Sequence, residues 1–340
     1  MGTRVPWRTA TLLLSAGLVL SGCASAVIDS HVIGSPSKSI SVPLRIVACT
    51  SADSCIAVGT SGSASGTTTV GESRPKNGYW TSLVVPAAPS SMVTSSACWS
   101  DGCLIGGSQP SGALLWRYDA KGRSVRVATI PHAGQAVSAL SCFGDLTCAA
   151  VASTGVTDNF RLSFTSDGAT TWSAPQPMTW SSGGAVMALA CVDADHCLAT
   201  ATVANASALV EATSDGGANW TRVNSLTSWI SLSSLTCAKQ HCVGLASTSN
   251  GSLVVRSGDF GQSWTSIGAR EMASAIACTF ASRCVLVGRV NAQTPWLATL
   301  HKKKFVAKSL LYVPAPLTDV SCGATICAAI APNTVLTLRP

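Results

Sequence analysis

Acidic side chains are scarce in this chain. Charged residues make up 11% of its 340 positions, only three of them are glutamates (Glu72, Glu211 and Glu271), and only 3 residues are tyrosines. Glycosidases with two catalytic acids need a pair of carboxylates flanking the scissile bond, so few positions could supply such a pair. Basic residues form no stripe with interleaved aromatic residues, and nucleic-acid binding therefore has no support.

Long apolar runs and helical periodicity are also missing from most of the chain. After the N-terminal segment, no apolar run continues for about 18 positions without turn residues, so we expect no transmembrane helix. The mean hydropathy of +0.36 instead reflects frequent Ala, Val and Leu with few charges. Because no segment sustains a helical period, a helical domain is not expected.

The N-terminus has the features of an export signal. Arg4 and Arg8 precede the short apolar run at 11–20, which is typical of a secretory signal peptide. The LSGC sequence at 20–23 resembles a bacterial lipobox. We therefore predict a signal peptide at 1–22, a diacylated (palmitate-type) Cys23 and a flexible tether over 23–38. An ordinary signal peptide with an incidental Cys is the alternative. The expected location is the extracytoplasmic face of the cell membrane.

The cysteine count favours disulfides. Of the 15 cysteines, Cys23 stands alone and the others form seven close pairs. Even pairing after an export signal indicates disulfides in an oxidising compartment. Two Cys per unit would supply only half a tetrahedral zinc site and no His recurs with them, so we expect no metal and no cofactor. The predicted disulfides are Cys49–Cys55, Cys98–Cys103, Cys142–Cys148, Cys191–Cys197, Cys237–Cys242, Cys278–Cys284 and Cys322–Cys327.

Each pair belongs to a repeating unit in which one strand ends in Cys and the next begins with Cys. Segment 138–153 is an example, and the first Cys recurs seven times at intervals of 41 to 49 residues. Strand-rich repeats of this length are typical of propeller blades. The pattern predicts an all-β fold, a seven-bladed β-propeller of four-stranded antiparallel blades over 39–340. The last unit has only three strands, so we expect residues 39–43 to complete the seventh blade and close the ring.

Three units carry a second motif after their third strand. The segments at 165–172, 213–220 and 257–264 read TSDGATTW, TSDGGANW and SGDFGQSW. They resemble the Asp-box, or bacterial neuraminidase repeat, except that Ala169 replaces the usual glycine in the first. The resemblance implies a structural role, in which the Asp binds backbone N–H groups and the Trp packs between blades. The residues concerned are Asp167, Trp172, Asp215, Gly217, Trp220, Asp259, Gly261 and Trp264.

Together, the Cys hairpins and the Asp-box-like turns resemble exported bacterial propellers of the sialidase-like superfamily and the propellers of photosystem II assembly factors. Sialidases use an arginine triad and a Tyr–Glu nucleophile pair. Arg45 is the one plausible triad member, and Tyr312 with Glu271 is the one plausible pair, although they lie in non-adjacent connections. Because this set is not recognisable as catalytic, we predict that the protein is not an enzyme.

Binding is therefore the predicted role. The loops opposite the Asp-box-like turns carry His132, Trp180, Trp229, Arg270 and Arg289, and we predict that they form the binding face. Either Trp could instead pack onto blade edges. The main hypothesis is a lipid-anchored, monomeric module for protein interaction or assembly. Binding of a carbohydrate or cell-wall polymer is the alternative, and a glycoside hydrolase is third.

Overall fold

The chain forms antiparallel β-strands. The computed structural model describes residues 28–32 and 43–339, except 64–65, 77, 87–90, 132–133, 155–158, 179–184, 204–206, 227, 271, 281–282, 292–293, 302–303, 310–312 and 314. Its 28 elements are all strands. Within these ranges, no helix long and apolar enough to cross a membrane is found.

After β1, the strands follow one another in groups of four along the chain, and the last group, β26–β28, has three. The first half contains β1 (Ile28–Val32), β2 (Leu44–Cys49), β3 (Cys55–Ser63), β4 (Gly66–Arg74), β5 (Thr81–Leu83), β6 (Met92–Cys98), β7 (Gly102–Gln109), β8 (Gly112–Asp119), β9 (Ser124–Ala128), β10 (Ala136–Gly144), β11 (Thr147–Ser153), β12 (Phe160–Thr165) and β13 (Gln176–Met178). The second half contains β14 (Ala185–Cys191), β15 (Cys197–Val203), β16 (Ser207–Thr213), β17 (Thr221–Leu226), β18 (Ser231–Ala238), β19 (His241–Thr248), β20 (Gly251–Ser257), β21 (Thr265–Arg270), β22 (Ala273–Phe280), β23 (Arg283–Arg289), β24 (Pro295–His301), β25 (Lys304–Ser309), β26 (Asp319–Cys322), β27 (Cys327–Ala331) and β28 (Thr334–Leu338).

These strands form six sheets. Five have four strands: β2–β5, β14–β17, β18–β21, β22–β25 and the set β1-β28-β27-β26. The remaining sheet has eight strands, β6–β9 and β10–β13. A single residue pair, Ala136 with Ser108, links its two halves.

The hydrophobic core is divided among the spaces between neighbouring groups. Each of seven clusters draws buried side chains from two groups consecutive in the chain or, in one case, from the last and the first. The second strands are buried along most of their length, as in β11, where Cys148 to Ala152 are buried. A strand covered on both faces has no polar side, so its sequence is a short continuous apolar run.

The strand that completes the last sheet is β1, which pairs antiparallel with β28, from Ile28 opposite Leu338 to Val32 opposite Thr334. The prediction that residues 39–43 form this strand is wrong. Strand β1 also lies inside the segment 23–38 that was predicted to be a tether. A short polar strand such as IDSHV has the composition of a linker, and only its partner in the sheet distinguishes it from one.

Hydrogen bonds reinforce the same seam between the last and first groups. The Asp53 carboxylate accepts bonds from the backbone N–H of Thr325 at 2.8 Å and from its hydroxyl at 2.5 Å. The Ser321 hydroxyl accepts a bond from the backbone N–H of Cys49 at 3.0 Å, and the indole of Trp80 donates to Thr337 at 2.9 Å. The seam therefore depends on side chains as well as on strand β1.

Candidate functional site

A central channel runs between the first strands of the groups, β2, β6, β10, β14, β18, β22 and β26. Five of them share a β-bulge four positions before the first disulfide Cys, and β18 has one nearby. A bulge leaves one residue unpaired and re-aims its side chain. The unpaired residues that line the channel are Arg45, Thr94, Ser138, Met187 and Ser274.

The channel has a volume of about 520 Å³ and a wall rich in hydroxyl groups. Ser95, Ser96, Ser234 and Thr318 join the bulge residues in lining it. Its only charged lining residues in the described part of the chain are Arg45 and Asp319. The site can therefore offer many neutral hydrogen-bonding groups together with one carboxylate and one guanidinium.

Asp319 is held at the seam beside the channel. Its carboxylate accepts a hydrogen bond from the backbone N–H of Val47 at 2.9 Å. Burial by the surrounding protein raises the pKa of Asp319 from 3.8 to about 7, against the smaller opposing effects of that hydrogen bond and of one from the backbone N–H of Val320. None of the three ion pairs formed by the described residues includes Asp319.

One mouth of the channel carries exposed apolar side chains. This mouth lies at the end of the channel where the first strand of each group begins and the second strand ends. Met187, Ile230, Met272 and Val290 are 39 to 54% exposed there, and we call these four residues the apolar arc. They belong to three neighbouring groups, β14–β17, β18–β21 and β22–β25, and Arg289 N–H donates to the Met272 carbonyl at 3.2 Å. Sequence reasoning missed the arc, because apolar residues in or next to a strand are typical of the core.

Of the five residues predicted to form the binding face, only Arg289 and Trp229 have side chains that the structure describes. Arg289 is exposed, whereas Trp229 is 8% exposed, and its ring packs edge-on against Trp264 with centroids 6.1 Å apart. Trp229 is therefore packed rather than exposed, which was the alternative for this residue, because the ring fills the space between β14–β17 and β18–β21. His132, Trp180 and the side chain of Arg270 lie outside the described residues.

The opposite end of the strands carries the disulfides and the Asp-box-like turns. All seven predicted Cys pairs are bonded, with Cα–Cα distances of 4.0 to 4.1 Å. In three sheets, the second Cys lies opposite the Ser or Thr that begins the turn, as Cys197 does opposite Thr213. The turn also binds the neighbouring hairpin loop, since Gly216 N–H donates to the Asp195 carbonyl at 3.1 Å. The disulfide and the turn therefore stabilise the same end of each of these three sheets.

Hydrogen bonds in the three turns follow one pattern. The hydroxyl of Thr213 donates to the Asp215 carboxylate at 2.8 Å and accepts from the Gly217 N–H at 2.9 Å. The backbone and side-chain N–H groups of Asn219 complete the ring of donors around Asp215. These bonds, led by that from the Asn219 backbone, lower the pKa of Asp215. The corresponding bonds in the sister turns lower the pKa of Asp167 and of Asp259 to about 2.

The tryptophans that end these turns pack between groups. Trp172, Trp220 and Trp264 each border the cluster that joins their own group to the preceding one. Trp80, which ends the degenerate turn of the first group, does the same against the last group. The arrangement is structural and leaves the turn carboxylates facing their own backbone.

A polar groove of about 970 Å³ lies at the disulfide end, between β14–β17 and β18–β21. Its carboxylates are already engaged within their own loops. Asp215 binds Asn219, Asp259 binds Ser263, and Asp193 lies 2.9 Å from the His196 ring. The groove therefore has fewer free acidic groups than its residue types suggest.

Those residues considered for sialidase chemistry that the structure describes do not come together. Arg45 lines the channel, whereas Tyr79 is 81% exposed beside the β4–β5 connection. Tyr118 and Glu211 are both buried, and burial raises the pKa of Glu211 despite the opposing charge of Arg222. Tyr312 and Glu271 lie outside the described residues.

Comparison with known proteins shows the fold. Neither a family model nor a curated protein matches this sequence. Among solved structures, virginiamycin B lyase from Staphylococcus aureus superimposes with a TM-score of 0.64 at 10% identity, over 93% of this chain and 100% of that one. YCF48 from Cyanidioschyzon merolae gives 0.61 at 12% identity, over 92% and 99%.

A structure of YCF48 bound to a D1 peptide also gives a TM-score of 0.61, at 11% identity, over 92% of this chain and 97% of that one. The WD40 propeller domain of Doa1 gives 0.58 at 13% identity, over 88% and 94%. At such identities the likeness concerns the fold alone. The chain is therefore an all-β propeller.

Proposed function

We propose that this protein is a non-catalytic interaction module, a seven-bladed propeller held by a lipidated Cys23 at the extracytoplasmic face of the cell membrane. The blade count treats β6–β9 and β10–β13 as two blades joined by one residue pair. Seven core clusters, one between each pair of neighbouring groups, support that count. Radial repetition of this kind leaves only short strand edges.

The apolar arc is the observation that carries the proposed function. Exposed apolar side chains that cluster rather than scatter mark interaction surfaces, and methionine is common where a surface adapts to its partner. The arc spans three neighbouring groups, and Arg289 stands beside it. The solved propellers offer a parallel in YCF48, which has been captured with a D1 peptide. We infer that a protein segment with apolar side chains docks on this mouth of the channel, with the propeller as a monomer.

The docking surface is tested by introducing charge. Met187→Glu combined with Met272→Glu should abolish cross-linking to the partner in membranes, because an unpaired carboxylate would be buried at the contact. Val84→Glu combined with Val127→Glu is the matched control, since these valines are 88% and 63% exposed outside the arc. If the arc variant cross-links as wild type does while the control loses its partner, docking at this mouth is wrong.

The anchor is tested separately. Cys23→Ala should move the protein from the membrane fraction to the soluble fraction, because no acyl chains would be attached. Metabolic labelling with a palmitate analogue should mark the wild type and not the variant. A Cys23→Ala protein that remains in the membrane fraction would refute the lipid anchor.

A further inference from the structure

The central channel contains polar groups that the docking proposal leaves without a role. Ser138, Ser234 and Ser274 line it from three different first strands. Hydroxyl groups can both donate and accept hydrogen bonds, so this wall is suited to a molecule that brings hydrogen-bonding groups of its own.

Asp319 adds a charge that lacks a counterion. Its carboxylate accepts hydrogen bonds from the backbone N–H groups of Val47 and Val320, and no ion pair within the described ranges involves it. A carboxylate removed from water without a cation is costly. A ligand that placed a cation beside Asp319 would offset this cost and form a charge-assisted hydrogen bond.

We propose that the channel binds a small polyhydroxylated amine, of which a free hexosamine is the simplest case, with its ammonium group on Asp319 and its hydroxyls on the surrounding serines and threonines. A hydroxyl both donates and accepts hydrogen bonds, so it complements the hydroxyl wall in either direction. The channel volume of about 520 Å³ falls within the range of small-molecule sites.

Arg45 limits the charge that the ligand can carry. It also lines the channel, from the first strand adjacent to that of Asp319. A second ammonium group would be repelled by the guanidinium, so the site favours a single positive charge. The hexosamine site does not depend on the protein-docking proposal, because its key groups, Asp319 and the wall hydroxyls, are not members of the apolar arc.

Four matched probes test the ligand class by calorimetric titration of the full-length chain. D-glucosamine carries both the ammonium group and the hydroxyls, D-glucose lacks the amine, N-acetyl-D-glucosamine lacks the charge, and cyclohexylamine lacks the hydroxyls. Only D-glucosamine should bind measurably. Equal binding of cyclohexylamine or of D-glucose would overturn the proposal, as would no binding of any probe.

Three variants locate the site. Asp319→Asn should weaken D-glucosamine binding by about tenfold or more, as expected when a charged hydrogen bond is lost. The amide oxygen of this variant can still accept from Val47 N–H, which preserves the seam. Ser138→Ala with Ser274→Ala should weaken binding less, while Asp145→Asn, an exposed acid in the β10–β11 loop, should leave it unchanged. Wild-type affinity in Asp319→Asn, with its fold verified by circular dichroism, would refute the assignment.

Discussion

Single residues show where the environment overrides residue type. Trp229 follows Thr227 and Ser228, a polar context that leaves both exposure and packing open, and its ring is buried against Trp264. Trp229 lies in the β17–β18 connection and Trp264 in the β20–β21 connection, so their contact exists only in the folded chain. Ser and Thr at the turn starts behave differently, because their partners lie two and four residues away and can be read from the sequence.

Asp319 gives the first prediction, a change in how stability depends on pH. Its folded-state pKa of about 7 exceeds the ordinary value of 3.8, so the folded protein binds this proton more tightly than the unfolded chain. That stabilisation is complete below about pH 4 and is lost as the pH rises to about 7, at up to about 1.4 kcal/mol per pH unit. Asp319→Asn should therefore be more stable than wild type at pH 8.

Urea unfolding at pH 4.5 and pH 8 measures this effect. The gain in free energy of unfolding from Asp319→Asn should be about 1 to 3 kcal/mol larger at the higher pH. The titration of the other acidic residues contributes equally to the unfolding free energies of both proteins, so it cancels in their difference. A gain that is the same at both pH values would show that Asp319 ionises normally in the folded state.

At the scale of elements, most of the architecture could be predicted from the sequence. The Cys hairpins identified the first and second strands, because the apolar runs beside each pair are short and bounded by turn residues. The bulges were not predictable. One extra residue reverses the side of the strand to which a side chain points, so Met187 lines the channel although its neighbours Val186 and Leu189 are buried in the core.

The Asp-box-like turn at 257–264 supports a second prediction. Gly261 has φ of +84°, and an added Cβ would lie 2.8 Å from a methyl carbon of Leu198. Gly261→Ala should therefore lower the free energy of unfolding by roughly 1 to 2 kcal/mol. Gly258→Ala in the same turn is the control, since its added Cβ would approach nothing closer than 3.9 Å. Equal effects in denaturant unfolding would show that backbone conformation is not the cause.

The disulfides support a third prediction, about partial and complete loss. Cys191→Ala with Cys197→Ala removes a crosslink that closes a loop with a sequence separation of 6, and the chain-entropy model assigns it about 2 kcal/mol. The variant should remain folded. Reduction of all seven bonds should remove roughly seven times as much, which matches the whole stability of a typical domain. A fully reduced chain that still unfolds cooperatively at the oxidised midpoint would contradict this.

For the whole molecule, the sequence predicted that an N-terminal strand closes the last sheet, but it indicated the wrong segment for that strand. Residues 39–44 read SISVPL, an alternating pattern next to the first strand, and therefore seemed the natural choice. The structure instead uses β1, which ends at Val32, eleven residues before Pro43. Registers such as Ile28 opposite Leu338 join residues from the two ends of the chain, which no local pattern encodes.

The two possible closing strands make opposite predictions, which two replacements that each preserve the length of the chain can separate. Replacing residues 28–32 by GSGSG should lower the melting temperature of the whole domain, because β28 would lose its partner and expose an edge. Replacing residues 39–42 by GSGS should have a much smaller effect. Asp53→Ala should add its own loss, since Thr325 would lose two hydrogen bonds across the seam. If the 39–42 replacement melts lower than the 28–32 replacement in calorimetry, β1 is not the closing strand.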